Sequence, residues 1–427
     1  MTAHAQGTPA RPQGALGRQR WQRLLPIAFI TYSLAYLDRS NFSVGIVGGM
    51  KSELGLTGGT SALIGASFFL GYFLFQVPGA IYAERRSVKD LIFWSLIAWG
   101  ALAALQGVLS SVSALVVVRF LLGVVEGAVL PAMVILLSRW FTKSERGQAN
   151  SVLILGNPIT VLWLTAISGY LIELTSWRGM FVIEGLPAIA WAFYFRAKVD
   201  DRPEQSRWLD SAERDAVTSA LDAEQASITP VNSYWEAFRS RVVVVLCAQY
   251  LLWSLGVYGF VFWLPSIVKA GSGAGIGATG LISAAPYLLA AILMVVNSRM
   301  SDRSGRRNRY VWPWLVLGGL AFYGSYLFGP GHFWPSFALL LVAGAAMYAP
   351  YGPYFAAIPE LLPQQVAGPS VALINSFGAL GGFIGTYLVG WLNDATGGQS
   401  ASFLVLGVST AASAVLMPLV KARKVRS

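Results

Sequence analysis

The most constraining feature of this chain is a succession of apolar stretches, each about the length a helix needs to cross a bilayer. A hydrocarbon core requires about 20 mostly apolar residues per helix. Twelve stretches qualify, near residues 24–48, 61–83, 91–110, 113–137, 148–172, 178–197, 241–264, 277–299, 310–329, 333–356, 369–391 and 399–420. Only 12% of the 427 residues are charged, against 55% hydrophobic. That is about half the charge of an average soluble domain, too little to cover a water-facing surface of this size. The 45 glycines and 20 prolines scattered through these stretches do not argue against helices, because neighbouring membrane helices can satisfy freed backbone groups. The expected fold is an all-α membrane protein of twelve transmembrane helices.

The net charge of +11 might suggest nucleic acid, but the positions of the charges exclude it. All but five of the 31 Lys and Arg lie in the two termini and in alternate loops. The exceptions are Lys51, Arg178 and Lys269 in the opposite loops, and Arg39 and Arg119 inside spans. By the positive-inside rule this places both ends in the cytoplasm. Residues 1–23 read as a disordered cytoplasmic tail without a cleavable signal, and residues 421–427 as a basic tail. Cys247 is the single cysteine, and the two histidines, His4 and His332, fall in the tail and an outer loop. No metal site, cofactor or nucleotide loop is expected. A proton relay would have to use carboxylates.

The long polar stretch at 198–240 divides the spans six and six, giving bundles at 24–197 and 241–420, and its SAERDAVTSALDAE segment reads as a short amphipathic helix. The halves repeat. AIYAERRSVK follows span two and SRMSDRSGRR follows span eight, with Glu84-Arg85 and Asp302-Arg303 at an offset of 218. The same offset puts Asn157 of span five onto Asn375 of span eleven. Duplicated halves rocking about a central site are the architecture of secondary transporters.

Ionisable side chains deep in a membrane are costly, about 2.5–3.5 kcal/mol on insertion scales. Four occur well inside spans: Asp38 and Arg39 in span one, Arg119 and Glu126 in span four. Arg119 and Glu126 share a helical stripe, separated by about 10 Å along the axis. Asp38 and Arg39, being adjacent, point about 100° apart and need different partners. The expectation is that Arg119 neutralises Asp38 or Glu126 while Arg39 faces the site and takes a substrate carboxylate, for which its planar fork is suited. At the 218 offset these four positions become Gly256, Val257, Phe337 and Gly344. Proton handling by Asp38, Glu126 and Arg119 therefore belongs to the first half. The second half supplies shape and neutral hydrogen bonds, with Gln249, Trp253, Tyr258, Tyr348, Tyr351, Tyr354 and Asn375 as candidates. Burial without a partner disfavours a charged carboxylate and a nearby guanidinium restores it. An anion drawing Arg39 away from the acids would thus favour their protonation, which is linkage between anion and proton.

The acidic-Arg loops after spans two and eight resemble the signature of the major facilitator superfamily. YLDRSNFS in span one, RFLLGVVEGAVLPA in span four, WRGMFVIEGLPAI at span six and RPEQSRWL after it resemble its anion:cation symporter family, which includes bacterial sugar-acid importers such as the galactonate, glucarate and hexuronate carriers. The resemblance implies proton-coupled import of a small organic anion by alternating access, with an Asp-Arg pair in span one and an Arg/Glu pair in span four. It also implies substrate contacts at Tyr36, Arg39, Tyr72, Asn157 and Asn375, and gating at Glu84, Arg85, Asp302 and Arg303. A sugar acid, an aldonate or aldarate, is the expected substrate and an aromatic carboxylate the alternative. A drug or metabolite exporter and a membrane sensor are weaker alternatives, and an enzyme is not expected. The partners implied are the anion, protons and membrane lipid, in a monomer of a bacterial inner membrane. Glu184, near the outer end of span six, reads as structural.

Overall fold

The computed structural model describes residues 17–226, 238–329, 331–361 and 364–420, and every element among them is helical. Six long helices come first: α1 (Gln19–Gly45), α2 (Gly58–Arg85), α3 (Val88–Gln106), α4 (Val112–Trp140), α5 (Lys143–Leu174) and α6 (Trp177–Lys198). The amphipathic α7 (Ser211–Ala226) follows. Then come α8 (Arg241–Ser272), α9 (Ile276–Ser304), α10 (Trp312–Phe328), α11 (Phe333–Ile358), α12 (Gln364–Thr396) and α13 (Ser400–Leu416). Eleven segments are long and apolar enough to cross a membrane. The remaining long helix, α1, is less apolar because it carries Arg20, Arg23, Asp38 and Arg39.

Local sequence explains where helices begin. Ser87, Ser111, Ser176 and Ser240 each precede a helix and accept a hydrogen bond from a first-turn amide, at 3.0, 3.4, 3.1 and 3.3 Å. These caps satisfy donors that a helix start leaves free. The fourth helix of each half is interrupted, α4 by a turn at Ala128 and α11 by one at Ala349 and Pro350.

The beginning of the chain departs from expectation. Residues 19–23 are not tail but the first turn of α1. Arg20 causes this. It is fully buried, donates to Glu145 at 2.8 and 2.5 Å and to the Trp140 carbonyl at 2.8 Å, and lies 3.7 Å from Glu213 of α7. A guanidinium so enclosed by acceptors holds the start of α1 against α4, α5 and α7. Residues 1–16 and 421–427 lie outside the described residues.

The two halves meet at one end through a matched pair of contacts. We call this the outer end, after the Lys and Arg distribution. The Asp394 carboxylate, near the end of α12, accepts from the amides of Gly58 (3.1 Å) and Gly59 (2.6 Å) that open α2. The Glu173 carboxylate, near the end of α5, accepts from the Gly277 amide (2.8 Å) that opens α9. Four residues before each acid stands a glycine against the partner's backbone. A Cβ on Gly390 would lie 2.9 Å from the Gly58 oxygen, and one on Gly169 would lie 2.8 Å from the Ile276 oxygen. Only hydrogen fits there. Anions at helix N-termini also complement the dipole. The outer seal is therefore built twice, with α2 and α9 in register at 218 but α5 and α12 at 221.

That register corrects one expectation. Both α5 and α12 run unbroken from the middle of the bundle to this end. Asn157 and Asn375 are thus nearly a turn out of equivalence, and the offset of 218 does not pair them.

Candidate functional site

The polar centre lies where α1 meets α4 and faces α8. Asp38 is fully buried. One carboxylate oxygen accepts from Asn41 at 3.3 Å, the other accepts from the Trp99 indole, and its main-chain oxygen accepts from Arg119 at 2.9 Å. Glu126 is also fully buried, and one of its oxygens accepts from the Arg39 Nε at 3.3 Å.

The expected pairing is met only in part, Arg119 lying against Asp38 without a direct contact to its carboxylate. Arg119 forms no ion pair among the described residues; it spends a donor on the Asp38 carbonyl, and its guanidinium lies 4.6 Å over Phe42 and 5.1 Å over Phe68. Arg39, expected to face the site and take a substrate carboxylate, is also the cation that holds Glu126. The reason is the direction of the side chains. Adjacent residues on α1 diverge by about 100°, so Asp38 turns toward α3 and Arg39 toward Glu126 and α2. The pair is incomplete. Nη2 of Arg39 and Oε1 of Glu126 are buried without hydrogen-bond partners, as is Nε of Arg119. Such unmet groups cost about 1–3 kcal/mol each. The centre thus retains a donor and an acceptor that an incoming anion and proton could use.

Aromatic rings enclose Arg39. Its guanidinium lies 4.6 Å from the Tyr36 ring, 4.5 Å from Tyr72 and 5.3 Å from Phe68. Cation–π contact favours the charged form without supplying an acceptor. The Tyr36 hydroxyl meets the Tyr258 hydroxyl of α8 at 3.2 Å, joining the halves directly above the cation. Beyond Tyr258 the second half presents rings. Tyr250 stacks on Tyr354 (5.4 Å), Trp253 lies 4.6 Å from Tyr351, and Tyr348 lies 5.4 Å from Tyr351. Two of their polar tips are consumed internally, since Trp253 donates to the Met347 carbonyl and Tyr354 to the Leu246 carbonyl, both at 3.1 Å. Gln249 is fully buried with neither amide atom bonded, and the Asn157 Oδ1 is likewise buried and unmet. Asn375 is half-buried.

Several participants escaped the sequence reading. Trp99 and Asn41 hold Asp38, and Asn41 also donates to Glu184 (2.9 Å), which accepts from Ser168 (2.6 Å). Glu184 is thereby tied by hydrogen bonds to the Asp38 network. Gln76 of α2 accepts from Ser376 of α12 at 3.2 Å, a second bridge between halves. Gln76 carried a signal, because it stands one turn after Tyr72 on the same face of α2. Trp99 carried none, since a tryptophan in an apolar stretch reads as packing.

The loop motif lies at the other end of the bundle. Glu84 and Arg85 are exposed; the Glu84 main-chain oxygen accepts from Arg139 (2.9 Å), and Asp201 accepts from Ser87 (2.6 Å). In the second loop Asp302 pairs with Arg307, while Arg303 is exposed.

A bundle of long apolar helices in two joined halves, with charges buried between helices of the first half, is the build of a multi-pass membrane transporter. The Major Facilitator Superfamily profile matches residues 28–386 and 267–426, and the chain belongs to that superfamily. Among its relatives, a protein of Agrobacterium vitis named for tartrate transport is 30% identical over 404 residues, covering 92% of this chain and 88% of the relative. A quinolone resistance transporter of Acinetobacter baumannii is 27% identical, with 94% of each chain covered. The xylose transporter XylE of E. coli, solved in a partially occluded inward-open conformation, superposes with a TM-score of 0.75 at 14% identity, covering 95% of this chain and 99% of XylE.

Proposed function

We propose that this protein imports a small organic anion together with protons, by alternating access in a bacterial inner membrane. One observation carries the reading: Arg39 is bound to Glu126 at 3.3 Å with one guanidinium nitrogen left unmet. A substrate carboxylate would seat on that nitrogen and compete with Glu126 for the cation. Glu126, losing its counter-charge in a dry site, would then bind a proton. Neither ligand need touch the other. Asp38, held by Trp99 and Asn41, is the second acid of the relay, and Arg119 steadies the α1 backbone between them.

The substrate we favour is a sugar acid, an aldonate or aldarate. The relative named for tartrate supports it, tartrate being a short aldarate, and the unbonded Gln249 amide and Asn157 Oδ1 suit hydroxyl groups. A second reading, an aromatic carboxylate, is favoured by the rings of Tyr250, Trp253, Tyr351 and Tyr354 opposite Arg39. Purified protein in liposomes decides between them. With an inward proton gradient it should concentrate labelled tartrate or gluconate, and collapse of the gradient should release the accumulated anion. Accumulation of benzoate alone would favour the second reading. Uptake indifferent to the gradient would overturn proton coupling.

A further inference from the structure

We propose that a groove between α1 and α6, at the lysine- and arginine-rich end of the first half, binds an anionic phospholipid of the surrounding membrane. The groove has a volume of about 510 Å³. Its two walls are graded alike. Along α1 the lining runs from Gln19 and Gln22 through Arg23 to Ile30, and along α6 from Lys198 back to Trp191, with Trp208 at the basic end. From Arg23 to Ile30, and from Lys198 to Trp191, is seven helical steps, about 10 Å along the axis. The helices are antiparallel and held in register at both levels. Arg23 Nε donates to the Lys198 carbonyl at 3.2 Å, and the Trp191 indole donates to the Thr31 hydroxyl at 2.9 Å. Both cations thus stand at one level and the apolar side chains two turns away, where Ile30 is exposed. That grading matches a phosphate headgroup above the start of its acyl chains.

The charge is uncompensated from within the protein. No carboxylate lines the groove, and among the described residues neither Arg23 nor Lys198 forms an ion pair. Of the acids on neighbouring segments, Glu145 and Glu213 face Arg20, Asp200 pairs with Lys89 and Asp90 with Arg196. Residues 1–16 contain Arg11 and no Asp or Glu, so that segment cannot supply a counter-charge. Arg23 is held in place by stacking 4.5 Å over Trp208, which leaves its outer nitrogens for a phosphate. The groove is also remote from the transport centre. Arg23 and Arg39 are sixteen residues apart on α1, about 24 Å. It lies within one half and not between the two, so it opens onto the flank of the bundle and not onto the substrate path.

Native mass spectrometry of the full chain in detergent tests this, with phosphatidylglycerol, phosphatidylcholine and soluble glycerol 3-phosphate added at equal concentrations. Each cation beside a lipid phosphate is worth about fivefold in binding. The wild type should retain phosphatidylglycerol over phosphatidylcholine by roughly 25-fold. Arg23→Gln with Lys198→Gln should remove that preference, and Arg23→Lys with Lys198→Arg should keep it. Equal retention of the two lipids by wild type would overturn the proposal, as would a preference that survives the glutamine pair. Displacement of phosphatidylglycerol by glycerol 3-phosphate would overturn it too, by showing a site for a soluble anion. If the glutamine pair does not fold, a photoactivatable phosphatidylglycerol on wild type decides. Labelling within residues 23–30 or 191–198 supports the proposal, and labelling confined elsewhere overturns it.

Discussion

The two halves of this transporter share a frame and divide the chemistry. At the outer end they are close copies, each closing on the other with a glycine and a carboxylate four residues apart. At the centre they differ. The first half buries Asp38, Arg39, Arg119 and Glu126. In the second half, aligning the fourth helices on their interruptions at Ala128 and Ala349 puts Leu340 and Met347, both fully buried, where the first half has Arg119 and Glu126. Duplication supplied two gates, and only one copy kept or acquired the charges. Symmetry in motion is therefore compatible with asymmetry in binding.

The largest test of that division removes its central cation. Arg39→Ala leaves Glu126 buried without its counter-charge, a loss of about 3–5 kcal/mol. Uptake of the labelled anion into liposomes should fall more than about 100-fold, and counterflow exchange should fall with it. Normal transport by this variant would remove the centre from the mechanism. Glu126→Gln tests the other member. The neutral amide keeps the shape and cannot exchange a proton, so concentrative uptake should be lost and its pH dependence flattened, while exchange between equal pools continues. A variant that still accumulates substrate against its gradient would place coupling elsewhere.

The outer seals test the symmetric side of the comparison. Each acid acts as a helix cap, worth about 1 kcal/mol. Asp394→Asn and Glu173→Gln should each raise the outer-open population roughly fivefold, read as labelling of a cysteine introduced at Ala62. Equal effects support two equivalent seals, and an effect at only one shows that the duplicated gates have diverged. The smallest change is expected from Tyr258→Phe, which deletes the hydroxyl contact with Tyr36 at 3.2 Å. A neutral hydrogen bond contributes about 1 kcal/mol. KM for the anion should rise a few-fold with the pH profile unmoved. A shifted pH profile would show that the second half shares in proton handling.

Much of this organisation was legible in the chain itself. The long apolar stretches and the repeat around Glu84 and Asp302 pointed to an all-helical membrane fold, because a bilayer imposes length and backbone satisfaction on any spanning helix. The four buried charges stood out for the same reason: of the other acids only Glu184 lies within those stretches, and the other cations there, Arg178, Arg196, Arg241 and Arg299, sit at their ends. Partners were less legible. Arg39 rather than Arg119 holds Glu126, because choice among nearby cations depends on side-chain direction across two helices, and spacing within one helix does not report that. The Asn157–Asn375 equivalence failed because the apparent repeat of 218 holds for α2 and α9 while α5 and α12 are offset by one further turn. Arg20 read as tail because its acceptors, Glu145 and Glu213, are more than a hundred residues away.

Sequence alone determined that this protein spans a membrane many times, in two related halves, with its costly charges confined to the first. Those conclusions follow from local transfer energies, which each stretch carries by itself. Tertiary structure decided which guanidinium meets which carboxylate, which polar atoms remain unmet, and how the outer ends close. Each of these depends on contacts between distant segments, where a rotation of 100° or a slip of three residues exchanges one partner for another.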